Sequence, residues 1–201
     1  KKGIVFTLSV IFIITLLLVS FYYESKLTKP GTATRIRAMN SFLESTQRDI
    51  SRAMQISGLR TLLAAQDFIV THGKFLDNAS ETFEEAIFYG SIEGYHSKLL
   101  EASTFSDWER TIKNKASELN IEINFSNATL KTYQENPWYI TLEIDYNFLL
   151  NDTTGIANWQ KNESIKAEVS IIGFEDPFYI IYTSGKLTNI INNTIYEGRY
   201  V

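Results

Sequence analysis

The sequence predicts an α+β chain, and three observations predict it: an uncharged apolar run near the start, three-and-four spacing of apolar residues through the first half, and two-residue alternation through the second. Helices first and strands second lead to an antiparallel sheet packed on a long helix. The expected layout is a long N-terminal hydrophobic helix continuing into an amphipathic helix, followed by short helices and a C-terminal antiparallel β-sheet. Residues 1–29 form the transmembrane or filament-core helix in this expectation. Residues 30–201 form an extracellular α+β domain, helical over 34–119 and β-rich over 120–201.

From Ile4 to Tyr23 the chain runs for 20 residues without a charge, and at 1.5 Å per residue such a helix spans about 30 Å, the hydrocarbon thickness of a bilayer. Lys1 and Lys2 precede it, and Tyr22 and Tyr23 close it. Lysines before the span and aromatics at its exit put the N-terminus in the cytoplasm and the rest outside. The run exceeds the apolar region of a secretory signal peptide and ends in tyrosines instead of a small-residue cleavage site, so an uncut anchor or a filament-core helix is expected. Ser9, Thr15 and Ser20 would permit close helix approach or bond back to carbonyls.

Lys2-Gly3 followed by Ile4-Val5-Phe6-Thr7-Leu8 resembles the processing junction of archaeal type IV pilin-like surface proteins. The resemblance covers about the first 25 residues. It implies that a membrane peptidase cuts between Gly3 and Ile4 and that the apolar helix becomes the core of an extracellular filament. The fifth residue after Gly3 is Leu8, where many bacterial members carry glutamate, so the likeness is to the looser archaeal pattern. Phe174-Glu175-Asp176-Pro177 is similar to a segment near the C-terminus of archaeal membrane-anchored proteins, and that likeness implies no activity.

Lys29-Pro30-Gly31 interrupts the helical pattern and forms the expected hinge. Beyond it Ile36, Met39, Leu43, Thr46, Ile50, Ala53 and Ser57 make one stripe on a long helix. This helix continues past Gly58 to His72-Gly73, and its second half, apolar over most of its circumference, is expected to be buried. Two shorter helices are expected, over 80–89 with a cap at Asn78 or Ser80, and over 103–119 with Ser106 and Glu109 as a capping box. Strands follow at Leu119–Phe125, Trp138–Leu150 and Ile165–Ile171, and a last hairpin joins Phe178–Tyr182 to Leu187–Ile191 through Ser184-Gly185.

A chain of 201 residues that is 44% apolar can bury one core. Its 19 basic residues are dispersed against 23 acidic ones, net charge −4, which argues against a nucleic-acid partner. There is no cysteine, so disulfides, thiolate metal sites and cysteine nucleophiles are excluded. A disulfide-free extracellular domain points to a prokaryotic envelope.

Six triplets satisfy Asn-x-Ser/Thr without proline, at Asn78, Asn124, Asn127, Asn151, Asn162 and Asn192. Asn124 falls on the polar face of its strand, and Asn151 and Asn162 are expected at strand-linking turns. Glycans there require exposure outside the cell; the bland alternative is ordinary turn and edge asparagines. His72 and His96 are expected to cap or face solvent, and Glu81, Glu84 and Glu85 to form a solvated helix face. Glu175-Asp176-Pro177 is expected to be turn chemistry, lacking the alternating Asp loop of a calcium site. No hydrolase elbow, phosphate-cradling loop or His-Glu-x-x-His occurs, so neither an enzyme nor a cofactor or metal site is expected. Tyr139 and Tyr179 are the expected exposed aromatics at a contact surface.

The function expected from these features is a glycosylated structural subunit of a type IV pilus-like filament at the cell surface. Its partners would be copies of itself through the N-terminal helix, the membrane before assembly, and covalent glycans. The alternative is a single-pass membrane-anchored surface glycoprotein, an adhesin or envelope component.

Overall fold

A computed structural model of the chain describes residues 10–20, 22 and 30–193. The chain divides into two compact units, Lys1–Ser41 and Phe42–Val201. In the first unit residues 10–20 and 22 are helical (α1), and every one of them is exposed, Ile11 by 63%, Phe12 by 65% and Leu18 by 65%. Thr15 donates its hydroxyl to the Ile11 carbonyl at 2.8 Å, the back-bond anticipated for it. Among the described residues no helix is long and apolar enough to cross a membrane. Residues 4–9, 21 and 23 of the apolar run, Lys29 of the expected hinge, and Gly3-Ile4 lie outside the described residues.

Helix α2 runs from Pro30 to His72. Proline suits a first helical position, where its missing N–H would lack an intrahelical partner in any case. The anticipated stripe is its inner side: Met39, Thr46, Ile50 and Ser57 are buried, continued by Met54, Thr61, Ala64, Ala65, Phe68 and Ile69. The expectation that the second half is covered all round is corrected, since Ile56, Leu59, Leu63 and Val70 remain exposed on the opposite side.

In the second unit α3 (Ala79–Tyr89) starts at Asn78, whose Oδ1 accepts from the amides of Ser80 and Glu81, and stops at left-handed Gly90. A two-residue hairpin pairs β1 (Ser91–Ile92) with β2 (Tyr95–His96), and a 3-10 turn follows at Lys98–Leu100. Helix α4 (Phe105–Glu118) carries a capping box at its start, built from Thr104 and Asp107. The expected pair Ser106 and Glu109 has the same spacing two residues too late; Thr104 supplies the extended backbone that a cap needs, whereas Ser106 is already helical. The Thr104 hydroxyl is the main influence holding the Asp107 carboxyl below its ordinary range.

The sheet is antiparallel with order β3-β4-β5, formed by Ile121–Asn136, Tyr139–Asp152 and Asn158–Ser170. Its inner face carries Ile121, Ile123, Phe125, Leu142, Ile144, Tyr146, Phe148, Leu150, Ala167 and Val169, all buried. Gly58 of α2 faces Leu142 and Val169 directly, so the helix lies on this face as anticipated. Strand β3 is longer than expected and begins at Ile121; Leu119 is the exposed C-cap of α4. Its second half escapes period-two reading because left-handed Asn127 (φ 53°) sits in a register shift between Ser126 and Thr129, which breaks the alternation.

The expected final hairpin is corrected. Pro177–Thr183 is a short helix, α5, capped by Asp176, whose carboxylate accepts from the Phe178 amide, with Pro177 in the first turn and left-handed Ser184 at its end. The run Phe178–Tyr182 is apolar throughout and carries no period of its own, so the Asp-Pro start decides the conformation. Residues 189–191 do return antiparallel, but against Gly173–Asp176, through Asp176 N–H to Asn189 O (2.8 Å) and Ile191 N–H to Phe174 O (2.9 Å).

Candidate functional site

Strand alternation sorts β3, β4 and β5 into an inner and an outer face, and the register sets out the outer face in cross-strand rows. The first row is Glu122, Asn151 and Asn158; the second is Asn124, Leu149 and Gln160; the third is Ser126, Asn147 and Asn162. Three sequon asparagines from three strands therefore occupy three successive rows of one face. Asn127 stands exposed in the adjoining bulge. Asn124 and Asn162 are exposed and Asn151 half-buried. The expectation that Asn162 lies at a turn is corrected: it is inside β5, opposite Asn147, while Asn151 is the penultimate residue of β4.

Beyond the bulge the outer face becomes a ladder of charges. Lys131 donates to the Asp145 carboxylate at 2.8 Å, Tyr133 donates its hydroxyl to Glu143 at 2.8 Å, and Lys166 donates to the Tyr133 oxygen at 2.8 Å. The Tyr133 hydroxyl, then Lys166, hold the Glu143 carboxyl below its ordinary range, and the Lys131 ammonium does the same for Asp145. Asp145 in turn raises Lys131, while the bonds to Tyr133 and Glu143 raise Lys166. The sheet's outer face thus has an amide-rich, sequon-bearing end and an ion-paired end.

The other two sequons lie elsewhere. Asn78 caps α3 through Oδ1, which accepts from the Ser80 and Glu81 amides. Asn192 is exposed, and its threonine, Thr194, lies outside the described residues, as does the Gly3-Ile4 junction.

The titratable residues weighed in the sequence take structural posts. His72 is the last residue of α2, its Nδ1 2.9 Å from the Phe68 carbonyl and its ring stacked on Phe68 at 4.1 Å. His96 is exposed in β2. Glu81 and Glu84 are exposed, whereas Glu85 accepts from the Ser91 hydroxyl and the Gly94 amide and so braces the small hairpin. Among the described residues no three His, Asp or Glu side chains gather as a metal site would require.

Of the expected exposed aromatics Tyr179 is exposed and Tyr139 half-buried. The larger aromatic surface is one that strand reasoning misses. Phe178 and Tyr182, one turn apart on α5, meet with ring centroids 4.5 Å apart and planes tilted by 40°, and the Phe75 ring lies 6.4 Å from Tyr182. All three are exposed, Tyr182 by 70%. The Asp-Pro helix start followed by aromatics at i and i+4 is the signal that would have found it.

A separate cleft of about 220 Å³ lies between α2 and α4, floored by Met54, Ile87 and Phe105 and rimmed by Arg60 and Trp108. Its wall is largely apolar, and the Trp108 indole N–H is already donated to Asp49 at 3.2 Å. The chain matches no protein-family model, no curated protein and no solved structure.

Proposed function

We propose that this chain is a structural subunit of an extracellular type IV pilin-like filament, glycosylated on the outer face of its sheet. The observation that carries the proposal is α1: residues 10–20 are helical, and their isoleucines, leucines, valines and phenylalanine are exposed on every side. A helix that is apolar around its whole circumference has no stable place in water. It needs either lipid or a bundle of equally apolar helices, where close packing replaces lipid contacts.

The uncharged run from Ile4 to Tyr23 and the basic-glycine junction before it fit a helix that first resides in the membrane and then assembles. The sequons on one solvent-facing surface fit a domain whose outer wall meets the environment. The second reading, a single-pass anchored adhesin or envelope component, is favoured by the exposed aromatics of α5, which suit a contact surface.

Mass spectrometry of the native N-terminus and electron microscopy of the cell surface separate the two. A chain beginning at Ile4 within thread-like assemblies is the expected result. A chain that keeps Lys2-Gly3 and stays dispersed in the membrane would put the anchor in its place, and a freely soluble cytosolic monomer would overturn both.

A further inference from the structure

We propose that Asn124 and Asn151 carry glycans seated side by side in a single hollow on the outer face of the sheet. The proposal rests on the reading of the chain as a surface glycoprotein and specifies where its sugars pack.

The two asparagines are 27 positions apart in sequence but are diagonal neighbours on the sheet, because Asn124 pairs with Leu149 and Asn151 lies two residues further along β4. Side chains so placed stand about 7–8 Å apart. Attached sugars therefore meet each other. Both asparagines line a shallow hollow of about 730 Å³, together with Leu149, Glu122, Lys113 and Ser117.

Leu149 is the feature that asks for a cover. It is apolar and only half-buried, yet it occupies the centre of an outer-face row between Asn124 and Gln160. A pyranose presents C–H groups on one face and hydroxyls around its rim. Its C–H face fits over Leu149, and its hydroxyls meet the carboxylate of Glu122, the Ser117 oxygen, which donates its proton to the Asn114 carbonyl, and the Lys113 ammonium, which Glu109 holds at 2.7 Å. The cover also lies along β3, a 16-residue strand at one end of the sheet order.

The chemistry is a glycosyl transfer. The side-chain Nδ2 bonds to the anomeric carbon of a sugar on a polyprenyl-phosphate carrier, the carbon–oxygen bond to phosphate breaks, the phosphate leaves with the electron pair, and the amide gives up one proton. At Asn151 this precedes sheet closure. In the folded chain Asn151 is paired between Glu122 and Asn158, and the hydroxyl of Thr153, the third residue of its sequon, is donated to the Asn120 carbonyl at 3.0 Å.

The test uses full-length protein purified from the envelope of the cells that make it. Glycopeptide mass mapping reads occupancy, and timed exoglycosidase digestion reads how fast each sugar is trimmed. Ser126→Ala removes the sequon of Asn124 without touching the asparagine, and Asn124→Gln is the second variant. Sugar is expected on both Asn124 and Asn151 of the same molecules, with the Asn151 sugar trimmed several-fold more slowly than that on Asn162 and released from this protection in both variants. Trimming at Asn151 that is unchanged by either variant overturns the shared hollow, as does sugar at Asn162 or Asn78 with none at Asn124 or Asn151. Absence of sugar from all six sequons sinks the glycoprotein reading with it, whereas an unprocessed N-terminus without threads, alongside the expected trimming pattern, sinks only the filament.

Discussion

Gly58 and Leu142 are in contact at a point where α2 has no room for a side chain: a methyl group on Gly58 would stand 2.5 Å from Leu142 Cδ1 and 2.7 Å from Val169 Cγ2. Glycine costs a helix interior about 1 kcal/mol relative to alanine. Here its absence of a Cβ lets the helix backbone rest on the sheet, and both partners are buried, Leu142 completely, so neither has space to yield. Gly58→Ala is therefore expected to destabilise the domain by about 1–2 kcal/mol net, overpacking outweighing the gain in helix propensity. Chemical denaturation measures this, and adding Val169→Ala is expected to recover part of the loss. A Gly58→Ala chain as stable as the parent would refute the close approach.

Asn78 caps α3 and also heads a sequon, and substitution separates the two. Asn78→Ala removes the acceptor for the Ser80 and Glu81 amides and is expected to cost about 1 kcal/mol. Asn78→Asp keeps the acceptor and destroys the sequon, so it should retain the folded stability while losing any sugar at that site. Denaturation and intact-mass measurements on the two variants distinguish cap from glycan.

The charge ladder on the outer sheet face makes stability depend on acid pH. Glu143 and Asp145 hold their protons less readily folded than unfolded. Their contribution is therefore present above the unfolded values and lost as pH falls through the lower folded ones. The thermal midpoint is expected to fall as pH drops below about 4, and more at low salt than at high, since these groups are exposed and screened. Tyr133→Phe deletes the strongest influence on Glu143, and carboxyl titration by NMR should then place that group closer to its ordinary value.

A charge in the apolar rod tests its proposed role without altering a residue of the sheet-bearing unit. Ile14→Glu places a carboxylate near the middle of the run from Ile4 to Tyr23, where an ionisable group in an apolar surrounding costs roughly 2.5–3.5 kcal/mol or more. Threads seen by electron microscopy are expected to disappear, while circular dichroism of the purified chain retains its helix and sheet signals. Undiminished assembly would remove the rod from the filament axis.

Much of the fold is legible in the residues because single elements follow local rules. The stripe from Ile36 to Ser57, the Asn78 cap and the alternation through Leu142 to Leu150 each report a period or a cap that needs no distant partner. The misreadings fall where local signals compete. Phe178–Tyr182 has strand-like composition, but Asp176 and Pro177 start a helix there. Asn127 breaks the alternation of β3 because its left-handed backbone shifts the register, a conformation that its side-chain type permits but does not announce.

The sequence by itself determined most of the helix and strand segments, though not α5 or the small β1–β2 hairpin, together with the uncharged character of the first apolar run and the positions of the sequons, since these depend on residue type and spacing along the chain. The tertiary structure alone decided that Asn124, Asn151 and Asn162 share one face in successive rows, that Leu149 lies among them, and that Gly58 meets Leu142. Those relationships arise from strand register and from helix-on-sheet packing. Both join residues distant in sequence, and a shift of one residue in register would turn every side chain of a strand to the opposite face.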